Sequence, residues 1–406
     1  MVDVNGAVAP GFERVAEQFE ANFALEPDPL NVLMGIDKCE VGAAVSVWRH
    51  GELVVDLWGG EADRRTQRPW ERDTLQLVFS TTKGVTAICA NLLVQRGLLD
   101  LDAKVADYWP EFAQAGKADI PVRWLLCHRA GLPWVDVEMA IDEALHWETV
   151  IGAIERQAPV WEPGSQHGYH ATTFGWLVGE IIRRVDGRSV GAFVREELAE
   201  PLGLDLWIGL PAEEAGRVAP LEVIELPTDG PMAAMVDEFI GPESMLGKAL
   251  FAPGGAWAAG GFGSFNQPEV WAAEIPAANA ITDARSLAKL YAACVSEVPT
   301  PAGGSARLFT DDTVDLVLEP QTTGVDHVIM GMDMQYGLGF NLPGPTVKMG
   351  GHRSFGHYGA GGSVGFADPD ASLGFGYVMN RMFLGLSGDP RTSALIDATY
   401  TCILGK

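Results

Sequence analysis

The sequence predicts an α+β protein: an antiparallel sheet built from N- and C-terminal segments and flanked by helices, with a mainly helical lobe inserted between them. Three observations carry this. Val41 to Trp48 and Leu53 to Trp58 are apolar, strand-like runs joined by Arg49-His50-Gly51-Glu52, the pattern of an antiparallel hairpin. From about Lys104 to Trp271 that pattern gives way to helical stretches separated by proline and glycine loops. Strand-like runs then return at Tyr336 to Phe340, Ser354 to Tyr358, Gly362 to Ala367 and Leu373 to Met379. Strands from both ends share one sheet if the helical block is looped out. The division expected is a sheet domain of residues 1–103 and 272–406 around an inserted helical domain of residues 104–271.

Taken in order, Gly11 to Leu25 is an amphipathic helix with Phe12, Val15, Phe19 and Phe23 on its apolar positions. After the hairpin, the strand-like Leu75 to Phe79 leads into a long apolar helix over Val85 to Val94. Within the inserted block, Phe174 to Val185 and Val190 to Leu198 are helical. Leu210 to Pro253 is rich in Pro, Gly, Met and acidic residues without sustained periodicity, which predicts a long loop or lid over a cleft between the lobes. Arg391 to Leu404 closes the chain as a helix.

Composition narrows the function. A net charge of -26 over 406 residues repels phosphate and argues against nucleic acid or an anionic membrane as partner. The five cysteines, Cys39, Cys89, Cys127, Cys294 and Cys402, are scattered in mostly apolar surroundings, as reduced core residues are. No C-x-x-C or H-E-x-x-H pattern occurs, and the His167 to His170 run lacks other ligands, so neither a metal nor a cofactor is expected. Apolar windows are broken by charge or glycine before they reach membrane-spanning length. Met1 to Gly6 carries no apolar segment ahead of a cleavage site, which predicts a cytoplasmic protein.

The chemistry points to Ser80-Thr81-Thr82-Lys83. Three positions apart at a helix start, Ser80 and Lys83 share a face, and an amine kept partly neutral by burial can take the proton that a serine must lose to attack an acyl carbon. Free backbone N–H groups at the helix start favour the developing negative charge. The bland alternative for Ser80 is a simple N-cap. Two fixed residues in four recur by chance about once in a chain of this length, and Ser286-Leu287-Ala288-Lys289 is such a recurrence. It lies within an amphipathic pattern starting at Thr282-Asp283, so Ser286 is expected mid-helix with a solvated or back-bonded hydroxyl. Gly361-Gly362-Ser363-Val364-Gly365 fits a G-x-S-x-G elbow but leads to a turn and a strand instead of the helix that motif needs, so Ser363 is set aside. Tyr169 sits in a tight loop ahead of a helix; taken alone it reads as a packed aromatic.

Four landmarks occur in order: Ser80-Thr81-Thr82-Lys83, Leu125 to Pro133, Pro163-Gly164-Ser165 leading to Tyr169, and Phe355-Gly356-His357-Tyr358-Gly359. Together they resemble the serine beta-lactamase-like superfamily, and more closely its class C-like esterase branch, the family VIII carboxylesterases, over about Val41 to Asn380. The resemblance implies a beta-lactamase/transpeptidase-like fold, an acylated Ser80, Lys83 as its partner, and Tyr169 sharing the proton transfer. A lysine ammonium near the tyrosine hydroxyl would favour phenolate; which of the two is the base is left open. The resemblance also gives oxyanion donors in the Ser80 and Ala360 N–H groups and a substrate-lining strand at His357, Tyr358 and Gly359, with His357 bonding the Tyr169 hydroxyl or the substrate.

Two departures steer the substrate. Ala171 stands where lactamases and peptidases of this superfamily usually carry an asparagine that holds an acylamino group, and His357 stands where they carry a lysine that pairs with a carboxylate. Both favour simple esters over amides. The function expected is therefore hydrolysis of small-molecule carboxylic esters through an acyl-Ser80 intermediate. An acyltransferase with the same residues, its acceptor pocket drawn from Trp134, Trp147 and Trp161, is the second reading. Beta-lactam or amide hydrolysis and a non-catalytic scaffold follow.

Overall fold

The computed structural model describes residues 2–27, 32, 36–224, 229–329, 331–383 and 388–405. Strand β1 (Val4–Val8) is followed by helix α1 (Glu13–Phe23), whose Phe12, Val15 and Phe19 positions are buried. The hairpin forms as β2 (Gly42–Arg49) and β3 (Glu52–Asp63), with Arg49 opposite Glu52. His50 and Gly51 turn the corner at φ of 51° and 78°, the left-handed backbone that a two-residue hairpin loop requires.

Strands β4 (Phe355–Tyr358), β5 (Val364–Asp368) and β6 (Leu373–Met379) complete the sheet in the order β1-β3-β2-β6-β5-β4, antiparallel throughout. A two-residue strand, Arg68–Pro69, adds to β3. The two ends of the chain meet at the β2–β6 seam, which runs from Ala43 opposite Met379 to Arg49 opposite Leu373. Tyr336 to Phe340 is a turn and not the expected strand. Gly339 stands at φ 86°, the Gly337 N–H bonds to the Phe340 carbonyl, and only single bridges link Tyr336 to Thr322 and Asn341.

Helix α2 (Thr81–Gln95) runs through the middle of the molecule and is buried on every side from Thr81 to Leu93, as an all-apolar helix must be. The region after it carries α3 (Trp147–Arg156) and α4 (Thr173–Asp186). The expected helix at Val190 to Leu198 begins as α-helix over Val190–Phe193 and widens to a π-helical stretch over Val194–Ala199. The Leu210 to Pro253 segment is more ordered than a loop. It contains a 3-10 turn at Ala212–Arg217 and helices α5 (Gly230–Ile240) and α6 (Met245–Leu250), while residues 225–228 fall outside the described residues. Gly and Pro had masked these short helices by interrupting their periodicity. Helix α6 is tied down where the Thr172 hydroxyl meets the Ala249 and Ala252 carbonyls at 3.2 and 2.9 Å.

Helix α7 (Ala284–Val295) lies on one face of the sheet, and α1 with α8 (Pro390–Ile403) covers the other, where Phe19, Val45, Leu57, Phe375 and Leu395 belong to one apolar cluster. The α7 contact is unusually close because both sides are small. A Cβ on Gly374 would stand 2.2 Å from the Ala288 carbonyl oxygen. Among the described residues no helix is long and apolar enough to cross a membrane. Replacing Gly374 by Ala forces α7 off the sheet and should destabilise the protein by about 1–3 kcal/mol, read as a lower urea midpoint at unchanged slope.

Candidate active site

Ser80 sits at the junction between Gln76–Leu77, a short strand paired with Ile281–Thr282, and α2. The residue before it, Phe79, is held at φ 43° by burial and by edge contacts with Phe262 and Phe265, a backbone that costs a non-glycine residue about 1–3 kcal/mol. The turn leaves Ser80 at the N-cap position without a side-chain cap bond. Its Oγ faces Lys83 Nζ at 3.0 Å.

Because α2 is buried all round, Lys83 has no route to water and is fully enclosed. Its Nζ lies 2.6 Å from the Ala171 carbonyl oxygen and 3.0 Å from that of Ala277, and burial pushes the amine far below the ordinary lysine range. Tyr169 stands beside it with Lys83 Nζ 4.8 Å from the ring centroid. Burial pushes the phenol up, opposed by the neighbouring Ser80 hydroxyl. Enclosure disfavours both charged forms, the Lys83 ammonium and the Tyr169 phenolate, which runs against the ammonium–phenolate pair expected from the sequence.

A narrow cleft of about 320 Å³, including its open mouth, is lined by Ser80, Tyr169, Ile329, Met332, Met334, Asn341, His357 and Ala360. The backbone N–H groups of Ser80 and Ala360 make no hydrogen bond to another described residue. His357 reaches the cleft, but its Nδ1 bonds to the Tyr358 carbonyl at 2.6 Å and its ring stacks on Tyr169 at 6.2 Å without a hydrogen bond between them. Tyr358 and Gly359, expected along the substrate, do not line the cleft. Strand alternation turns Tyr358 to the α8 side, where its hydroxyl donates to the Lys348 carbonyl. Gly359 donates its N–H to the Ser363 carbonyl, and a Cβ there would stand 2.2 Å from both Ser363 Oγ and the Val78 carbonyl oxygen.

The decoys resolve physically. Ser363 is buried, 2.9 Å from the Val78 carbonyl oxygen and 3.1 Å from Thr81 Oγ1, so it fastens the β4–β5 turn to the loop before Ser80. Ser286 is in the first turn of α7, not mid-helix, and is neither solvated nor back-bonded: its Oγ accepts from the Asp205 N–H at 2.9 Å, while Lys289 bonds to the Leu202 carbonyl. His170 spends both ring nitrogens on backbone, Nδ1 at 2.6 Å from the Gly168 carbonyl and Nε2 accepting from the Leu132 N–H at 2.9 Å. Among the described residues no cluster of His, Cys, Asp or Glu is arranged to hold a metal. Trp147 lies far from the expected acceptor pocket, its indole N–H bonded to Glu180, and Trp134 and Trp161 do not line the cleft either.

Sequence reasoning missed the residues that act at long range. Asp326 Oδ1 accepts from the backbone N–H groups of Tyr169, Val328 and Ile329 at 3.0, 2.8 and 2.8 Å, and its Oδ2 takes the Tyr336 hydroxyl at 3.1 Å. Arg391, fully buried, donates to the Gly361 carbonyl at 2.7 Å and pairs with Glu40 and Asp389 at 3.1 and 2.7 Å. Thr392 Oγ1 bonds to the Gly362 carbonyl at 2.7 Å. The N-terminus of α8 thus grips the turn that presents Ala360. Neither residue carried a local motif; a charge inside an apolar pattern was the one available signal.

The Beta-lactamase family model matches residues 18–399. The chain belongs to the beta-lactamase family. An esterase/beta-lactamase, LipL of Mycobacterium tuberculosis, is 34% identical over 357 residues, covering 84% of this chain and 77% of that protein. A family VIII carboxylesterase crystal structure superposes with a TM-score of 0.81 at 37% identity, over 98% of this chain and 100% of its own. A penicillin-binding protein homologue from Caulobacter crescentus gives 0.83 at 38% identity with the same coverage. Its fold is thus the beta-lactamase/transpeptidase-like α+β fold, and the chain is a serine-hydrolase-type enzyme of this beta-lactamase-fold esterase and hydrolase group. In this beta-lactamase-family chain, Arg391→Met leaves Glu40 and Asp389 as unpaired buried charges and should cost about 3–5 kcal/mol of stability, measured by urea unfolding.

Proposed function

We propose that the protein hydrolyses small, uncharged carboxylic esters through an acyl-Ser80 intermediate, with Lys83 as the base. The observation that carries this is the set of partners around Lys83 Nζ. Two of its three neighbours are backbone carbonyls, at Ala171 and Ala277, which can only accept. A neutral amine has two N–H groups for those two carbonyls, and its lone pair is then left for the third neighbour, the Ser80 hydroxyl. The backbone itself aims the base at the nucleophile.

Bond making follows from that arrangement. Ser80 Oγ attacks the ester carbon while its proton passes to Lys83, and the carbonyl oxygen gathers charge against the Ser80 and Ala360 N–H groups, each such donor typically contributing about 2.7–4 kcal/mol. The carbon–oxygen bond to the alcohol then breaks as the leaving alkoxide takes the proton of the neutral Tyr169 phenol, and the proton that Lys83 received from Ser80 passes to the Tyr169 oxygen, which restores both neutral groups. Water repeats the cycle on the acyl-enzyme.

Substrate class follows from the walls. Burial pushes His357 down to about 3, so no cation waits for a carboxylate, and the Ala171 methyl offers no amide to an acylamino group. Ile329, Met332 and Met334 suit an apolar acyl chain. The same walls disfavour beta-lactams, and among the described residues that line the cleft there is no tryptophan to build a dry acceptor pocket, which favours hydrolysis over acyl transfer.

Exposure to a serine-reactive organophosphonate should add one adduct, on the Ser80 peptide, absent in Ser80→Ala by intact-mass spectrometry; an adduct that persists there overturns the assignment. Lys83→Arg, which keeps the charge but cannot become neutral, should lower kcat by about 10²–10⁴-fold. The pH profile has a definite sign. Lys83 works when neutral and its amine is depressed, so kcat/KM for ethyl acetate in a pH-stat should fall on the acid side and be level well before pH 10.5. Activity still climbing at about pH 10, the ordinary tyrosine range, would instead identify a phenolate base.

A further inference from the structure

The cleft contains one polar pair that the proposed chemistry does not use. His357 is 3% exposed, and its Nδ1 is committed to the Tyr358 carbonyl oxygen. A carbonyl only accepts, so the proton sits on Nδ1 and Nε2 carries a lone pair. That Nε2 is buried and meets no donor among the described residues. Leaving such an acceptor unmet costs about 1–3 kcal/mol, a cost that a bound ligand relieves.

Asn341 lines the same cleft and is also 3% exposed. It bridges to Gly356, the residue before His357. Its Oδ1 takes the Tyr358 N–H at 3.4 Å, while its Nδ2 makes no hydrogen bond to a described residue. The wall thus offers one acceptor and one donor set among Ile329, Met332 and Met334. A carboxylate would meet the Nε2 lone pair with like charge, a carbonyl has no hydrogen to give, and an ammonium has nothing to accept with. A hydroxyl does both. The His357 ring stacks on Tyr169, so this pair stands on the side where the leaving oxygen regains its proton.

We propose that His357 and Asn341 bind a free hydroxyl on the alcohol part of the ester, so that the preferred substrates are monoesters of vicinal diols and polyols. This rests on the esterase reading and names its alcohol class. The hydroxyl donates to His357 Nε2 and accepts from Asn341 Nδ2, while the ester oxygen on the adjacent carbon faces Tyr169.

The test compares 2-hydroxyethyl acetate with propyl acetate, which differ by a hydroxyl in place of a methyl. Wild-type kcat/KM should favour the hydroxylated ester by about tenfold or more, one good hydrogen bond's worth. His357→Leu should bring the two esters to within about twofold of each other, while His357→Gln, which keeps an acceptor, should retain part of the preference. The ratio within each protein cancels differences in folded fraction, and His357→Gln decides the matter where His357→Leu does not fold. Equal rates in the wild type, or a preference undiminished in His357→Leu, overturn the hydroxyl site. Turnover of nitrophenyl acetate by wild type against Ser80→Ala, read alongside, separates the two levels: Ser80-dependent turnover without preference removes the hydroxyl site alone, and no Ser80-dependent turnover removes the esterase reading.

Discussion

A lysine amine sealed inside the protein without a counterion is the constraint on which this structure depends. Among the described residues Lys83 has no carboxylate bonded to it; its two firm partners are the carbonyls of Ala171 and Ala277, which come from segments 106 residues apart in the chain. A buried ammonium with only dipoles around it is expensive, so burial pushes the amine toward its neutral form. To keep it sealed, α2 must be covered on all sides, and that requirement accounts for the position of α4 against it and of α7 across the sheet. Gly84, the next residue, shows how closely: a Cβ there would stand 1.9 Å from the Tyr291 hydroxyl of α7. The proposed active centre is in this sense a product of enclosure, and the reactivity proposed for it comes from where the lysine is kept.

Enclosure alone would not aim the proposed oxyanion donors, the Ser80 and Ala360 N–H groups. These depend on a turn between β4 and β5 that is fastened from both sides, by Ser363 to the backbone before Ser80 and by Arg391 and Thr392 to the start of α8. The two donors are thus held by one connected set of hydrogen bonds, although their sequence positions are 280 residues apart in a chain of 406. Asp326 does the same for Tyr169 by gripping its backbone N–H. Preorganisation of this kind places the cost of orientation in folding instead of in each turnover.

Much of this was legible in the sequence, and the residues show why the rest was not. The hairpin, α1, α2 and the terminal helix announce themselves through local period and turn chemistry, and Ser80, Lys83 and Tyr169 through motifs in order. What failed did so where a tertiary environment overrides local pattern. Tyr336 to Phe340 has strand-forming residues, but Gly339 serves close approach to Ala87 and Gly337 to the Val317 carbonyl, and the run turns. Tyr358 and Gly359 belong to the right strand segment, yet alternation and crowding at Val78 remove both from the cleft. Lys83 and Tyr169 are neighbours in the structure, but their charges depend on burial, which no short-range pattern expresses. Asp326, Asn341 and Arg391 act across 157, 17 and 30 residues respectively in their bonds to Tyr169, Tyr358 and Gly361, and no motif spans such gaps.

The His357 position shows how a single change redirects a site without altering its machinery. A lysine there would present three donors and a permanent charge on a flexible stem; the imidazole, locked by the Tyr358 carbonyl, presents one lone pair in a fixed direction. The first arrangement recognises an anion through Coulomb attraction and tolerates imprecise placement. The second is blind to charge and sensitive to whether a donor arrives at the right point. Nothing in the Ser80–Lys83–Tyr169 set needs to move for this to happen, because the tautomer is fixed by the strand's own backbone. Among the described residues that line the cleft there is no lysine or arginine, so the Lys83 amine beside Ser80 meets no second permanent cation there.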